Sequence, residues 1–270
     1  MKRNIYVVVF LVLLFSFDSS QAQIWKQIQN AAQKKALEKA SKKADNQSGE
    51  TANQSTEVEA AMAGFTKNKV DASAVPNSYS FSWKYIMEIK TDEGKAMNAN
   101  YLLEPDVSYF GFNVDQGKGQ SMLMIMDVKN RLTVTCFGND KDKMATASKL
   151  PDYAEMAKKN GEQSKFTFKT LPNKTFLGYN CKGVQATNDE YDIIFYFTNE
   201  AKVSFGELYR SQKTQKLPDV IANYFKPGEK ALMMDMSMKD LKNKSKVTTM
   251  KCISLEKSAY VFNKSDYKFM

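Results

Sequence analysis

Three kinds of residue in this chain have the side chains for chemistry, and each is arranged in a way that argues against it. The 270 residues include no His, so neither a Ser-His-Asp nor a Cys-His nucleophile can be assembled. The His-containing zinc sites of most metallohydrolases are excluded for the same reason. Carboxylates could still act as general acid and base. Asp189, Glu190 and Asp192 cluster, yet in a hairpin turn, where solubilising polar residues are the rule. Gly117-Lys118-Gly119-Gln120-Ser121 lacks the first Gly and the Lys-Ser/Thr order of a phosphate-binding loop, and it leads into a strand rather than a helix. Cys136, Cys181 and Cys252 form no CxxC pair, which removes the support for a redox role. The residues therefore point to no enzyme, no metal and no cofactor.

The elements around these residues suggest an exported protein. Lys2-Arg3, an apolar run from Ile5 to Phe17, and Ser20-Gln21-Ala22 reproduce the basic, apolar and small-residue layout of a cleavable signal peptide, residues 1–22. The run is short for a membrane span, which takes about 20 apolar residues. Export implies a periplasmic or secreted location where disulfides persist. Of the three Cys, Cys181 and Cys252 are the expected pair, since both fall in late strands that neighbouring pairing could bring within bridging distance. Cys136 shares a strand face with Leu132 and Val134 and reads as buried. The alternative is that all three are small buried apolar residues.

Residues 23–45 place Ile24, Ile28, Ala31, Ala32, Ala36, Leu37 and Ala40 at helical spacing, with Lys between them. This basic amphipathic helix could dock on an envelope protein or an anionic membrane surface. The formal net charge of +9 fits anionic partners in general, but the Lys residues are scattered rather than grouped into a groove, and nucleic acid is not an expected partner. Residues 46–75 are a polar linker and lead-in.

From 76 to 270 the period becomes two. Tyr79, Phe81, Trp83, Tyr85, Met87 and Ile89 alternate with mostly polar residues, so one face of that strand is buried. Further strands are expected at 98–103, 108–114, 121–127, 131–137, 165–169, 178–186, 192–198, 231–238, 247–255 and 259–262. Two helices, Asp152–Lys159 and Leu217–Phe225, are expected to interrupt them. Met122, Met124 and Met126 alternate with Leu123 and Ile125, which makes that strand apolar on both faces and hence central. Met234, Met236 and Met238 form a one-sided Met row.

Tyr101-Leu102-Leu103-Glu104-Pro105, Met122 through Asp127, and Leu177-Gly178-Tyr179-Asn180-Cys181-Lys182-Gly183 resemble an exported family of Bacteroidota, the DUF4412 domain of unknown function. That family is similar to the LolA/LolB lipoprotein-carrier superfamily. The resemblance implies an α+β fold, a strongly curved antiparallel half-barrel closed by a few helices over an apolar cavity, and carries no catalytic residues. Two readings of function follow. Either Trp83, Tyr85, Met234 and Met236 line a site for a lipid or other apolar ligand on the concave face, or the domain is a structural or protein-interaction module of the envelope without a ligand cavity.

Overall fold

The computed structural model describes residues 69–92, 96–115, 121–139, 142–150, 166–205, 230–242 and 246–270. The expected signal peptide, basic helix and most of the expected linker, and both expected helical segments, Asp152–Lys159 and Leu217–Phe225, lie outside them. The described strands are β1 (Ser78–Thr91), β2 (Met97–Leu103), β3 (Tyr109–Asp115), β4 (Ser121–Asp127), β5 (Leu132–Asn139) and β6 (Asp142–Lys149). They continue with β7 (Thr167–Phe176), β8 (Tyr179–Thr187), β9 (Tyr191–Thr198), β10 (Leu232–Asp240), β11 (Val247–Asn263) and β12 (Lys268–Phe269). All belong to one curved sheet in the order β12-β6-β5-β4-β3-β2-β1-β11-β10-β9-β8-β7. Neighbours are antiparallel except β12, which runs parallel to β6.

This corrects the α+β expectation. Among the described residues the only helical turns are two short 3₁₀ segments, Ala72–Ala74 and Lys264–Asp266, and the fold is all-β. On one face the sheet itself covers the apolar side of its strands.

The device is the β1–β11 ribbon. β2 pairs with β1 only from Trp83 to Ile89, and β10 pairs with β11 only up to Lys251. Beyond these points β1 and β11 have only each other. Two irregularities bend the ribbon, one between Phe81 and Trp83 where the β2 pairing ends, and one between Ile86 and Met87 just past the end of the β10 pairing. In both, β11 holds the extra residue, as bulges do when they bend and twist a strand. Each bulge reverses which side the following β11 residues face. Met250, Cys252, Leu255, Tyr260 and Phe262 consequently stand opposite Ile89, Met87, Tyr85, Phe81 and Tyr79 in turn, and the expected gap between strands 247–255 and 259–262 is a bulge within one strand.

The bent end lies against β3–β6. The Tyr79 hydroxyl donates to Asp127 Oδ2 at 2.9 Å, and the Tyr109 hydroxyl donates to the Ser80 carbonyl at 3.1 Å. The Tyr109 ring meets Tyr79 and Phe81 edge-on at 4.9 and 5.5 Å. From there Lys264–Asp266 turns the chain so that β12 joins β6, and the Met270 N–H donates to the Ala145 carbonyl at 3.0 Å. Cross-strand register places Ile125, Val134 and Ala147 side by side on this covered face, and all three are buried. On the opposite face of the same strands Tyr101, Phe112 and Met124 align. With Met122, Leu123, Ile125 and Met126 all buried, β4 is enclosed on both faces, as its unbroken apolar run requires.

Asp127 organises the bend. It is buried, and besides Tyr79 it accepts from the Asn130 backbone N–H at 2.9 Å and from Asn130 Nδ2 at 2.6 Å. A buried carboxylate is tolerated only with such donors. The β4–β5 turn it caps then passes through Arg131 at φ 55°. At the other end of the sheet, Tyr196 of β9 lies on Gly183 of β8, where a Cβ would stand 2.5 Å from Tyr196 Cε1.

Tyr79→Phe leaves one Asp127 oxygen with a donor fewer in a buried setting, and should lower stability by about 1–3 kcal/mol, measured by denaturant unfolding. Gly183→Ala should cost about 1–3 kcal/mol through overpacking against Tyr196, and the same substitution in a Tyr196→Ala background should cost clearly less.

Candidate functional site

The inner face of β8–β11 and β1 is a continuous apolar row. Register aligns Val184, Phe195, Met236, Met250 and Ile89 across five strands, and all five are buried. Next to it Met87 stands between Cys252 and Ala99. Beyond that, Tyr85 stands between Leu255 and Tyr101. The outer side of the same strands is polar. Lys84 faces Glu256, and Glu88, Lys251 and Asp235 follow one another across β1, β11 and β10. Burial raises the Asp235 carboxyl above its ordinary value even with Lys174 and Lys251 nearby.

Each residue expected at a ligand site has a defined place. Met236 lies in the apolar row between Phe195 and Met250. Met234 is fully buried and is the extra residue of a β10 bulge between Met233 and Asp235. The bulge leaves the Met233 carbonyl available, and the Tyr85 hydroxyl donates to it at 2.6 Å, spanning the place where β10 and β11 have parted. Tyr85 is fully buried, so it braces this wall. Trp83 is half-buried, next to the β11 bulge, paired with Leu103 and Lys257.

The alternation pattern gave no sign of Phe205. After β9 the chain turns back, burying Ala201 and Val203. The Phe205 ring then meets Tyr85, Tyr101 and Phe110 edge-on at 5.9, 5.4 and 5.3 Å. Lys230 Nζ, 2.9 Å from Asp106 Oδ1, ties the β2–β3 turn to the start of β10, and it also donates to the Lys202 carbonyl at 3.4 Å.

The groups with reactive potential are occupied structurally. Gln185 Nε2 donates to Asp192 Oδ1 at 2.8 Å, Glu190 pairs with Lys242, and Asn188 Oδ1 caps the Glu190 and Tyr191 N–H groups. Among the described residues no cluster of three or more His, Cys, Asp or Glu is placed to hold a metal. Gly117–Gln120 lies outside them. Cys136, Cys181 and Cys252 are free, buried thiols, and β9 and β10 lie between the strands of Cys181 and Cys252. Burial pushes Cys136 and Cys252 up to about 12 and Cys181 up to about 11.

No protein-family model and no curated protein matches the chain. Solved structures with some likeness include PNGF-II, at 14% identity over 70% of this chain and 30% of that one, with a TM-score of 0.36. Others are MucB in complex with MucA(peri), at 7% identity over 70% and 54% of the two chains with a TM-score of 0.29, and a LolA superfamily protein from Nitrosomonas europaea, at 9% over 67% and 87% with a TM-score of 0.23. The chain spans under a third of the length of that PNGF-II chain. At these scores none of the likenesses assigns a family or a function.

The titrations have a definite sign. Burial raises the three thiols and the phenols of Tyr79, Tyr109, Tyr260 and Tyr267, so each holds its proton more tightly folded than unfolded. Their contribution to stability is complete below about pH 8; its loss begins at the ordinary thiol and phenol values, about 8.5 and about 10, and continues as pH rises through the raised folded values. Denaturation midpoints should therefore fall steadily above pH 9, and less steeply in Tyr79→Phe. In the native protein at pH 8 the thiols should resist alkylation, with all three reacting once denaturant is added; mass spectrometry of the labelled protein checks this.

Proposed function

We propose that this chain is a non-enzymatic protein exported to the cell envelope, which holds a lipid or other apolar ligand against the inner face of its sheet. Trp83 and Met236 form the wall nearest the ligand, and Tyr85 and Met234 fix that wall. The observation that carries this reading is the row from Val184 to Ile89, with Met236 and Met250 at its centre. Adjacent Met side chains adapt to apolar partners of varied shape. The half-buried indole of Trp83 stands where β10 has left β11, which is where the inner face is least constrained by strand pairing.

A second reading, a structural or protein-interaction module without a ligand, draws on Phe205. Its ring already packs against Tyr85, Tyr101 and Phe110, as in an ordinary core.

The two readings separate in one experiment. In a Trp25→Phe background, the emission of Trp83 should shift saturably on titration with a long-chain fatty acid. Met236→Gln should weaken that binding by about tenfold or more, while the protein keeps a cooperative thermal transition. Absence of any saturable shift, together with loss of the folded state in Met236→Gln, would establish the inner face as core and the second reading as correct.

A further inference from the structure

We infer that the tip of the β7–β8 hairpin is a membrane-contact site that docks on the surface of an anionic lipid bilayer, independently of whether the inner face holds a ligand. Phe176 pairs with Tyr179 across a two-residue turn formed by Leu177 at φ 49° and Gly178 at φ 83°. Positive φ at both positions defines the turn that Asn-Gly or Asp-Gly ordinarily fills. Left-handed backbone disfavours a residue with a bulky side chain. Leu177 holds that conformation while leaving 50% of its surface exposed, so no burial within the described fold compensates for it. An apolar side chain in a conformation suited to Asn, at the apex of a hairpin, points to a partner outside the chain.

The surroundings of Leu177 indicate which partner. Phe176 and Tyr179, on either side of the turn, are half-buried aromatics, and the Phe176 ring packs on Tyr196 at 5.4 Å. Lys174 Nζ stands 4.6 Å from the centre of the Tyr196 ring, and Lys182 follows on β8. Glu200 accepts from the Asn180 N–H at 3.0 Å and Asp235 lies near Lys174. The two lysines thus meet two carboxylates locally, and the anionic preference draws on these lysines together with the chain's net charge of +9. A leucine apex, flanking aromatics and basic side chains behind them match the layered chemistry of a bilayer interface, where acyl chains, headgroup level and anionic surface follow in that order. Because β7 is the last strand of the sheet, the tip lies on an edge strand rather than between two others.

The test uses the full mature chain and vesicles of phosphatidylcholine with or without phosphatidylglycerol. Leu177→Asn suits the local backbone, so its unfolding midpoint should equal or exceed that of the parent, while its partition onto anionic vesicles should fall by about fivefold. Leu177→Cys places one exposed thiol in a chain whose other thiols are buried, and an environment-sensitive label there should shift to the blue and be quenched by brominated lipids. Unchanged partition of Leu177→Asn, or a label that stays unquenched while the protein is vesicle-bound, would overturn the proposal. Equal partition onto neutral and anionic vesicles would overturn the assignment of an anionic surface. Self-association without lipid that Leu177→Asn abolishes would overturn it in favour of a second copy of the chain.

Discussion

The hydrogen bond from Tyr79 to Asp127 ties the far end of the β1–β11 ribbon to β4, three strands away in the sheet. A carboxylate removed from water must find donors nearby, and the β4–β5 turn supplies only those of Asn130. The remaining donor comes from a strand far away in sequence. Once the ribbon is held there, Tyr109 packs beneath it, Ile125 and Val134 are enclosed, and β12 is delivered to the edge of β6. A sheet of this width would otherwise expose one apolar side of β4. The bulges that place extra residues in β11 are what allow the ribbon to reach Asp127 without turning its aromatic side outwards.

The two sides of the sheet are specialised differently. Crossing pairs of opposite charge, Lys84 with Glu256 and Glu88 with Lys251, mark the outer side of β1 and β11 as wet. On the inner side, large side chains meet one another: Met against Met, Phe195 against Met236, and Phe205 wedged among three rings. Tyr85 joins the two kinds of force, with an apolar body in the core and a hydroxyl satisfied by a carbonyl that the β10 bulge sets free.

Much of this was legible in the alternation of residues. The row from Tyr79 to Ile89 announces β1 and its buried side, and the apolar run from Met122 to Met126 announces an enclosed strand. Other features escaped because they depend on departures from period two. β11 looked like two strands because its bulges at Ile253 and near Ala259 reverse the pattern. β6 was not anticipated, since its inward residues Ala145 and Ala147 are too small to stand out between Thr and Ser. Period two locates the inward side of Tyr85 but not its hydroxyl partner, which requires the bulge at Met234. Leu177 was hidden for a similar reason, because the sequence shows a Leu before a Gly and the left-handed backbone appears only in three dimensions. The α+β expectation came from the family resemblance and from two helical segments outside the described residues, whereas the described residues form one sheet that bends over part of its own face.

The pairing of β1 with β11 also governs the order of events as the chain folds. A chain made from its N-terminus presents β1 to β6 well before residues 247–263, so the first half of the sheet must persist with β1 unpaired on one side and the Tyr79 end without its ribbon partner. Pairings between segments so distant in sequence form slowly because loop closure precedes any gain, and exposed strand edges in the interval recruit other chains. Completion of the sheet is thus deferred to the arrival of its last two strands, and the interval before it is the period in which its open edges are most exposed to other chains.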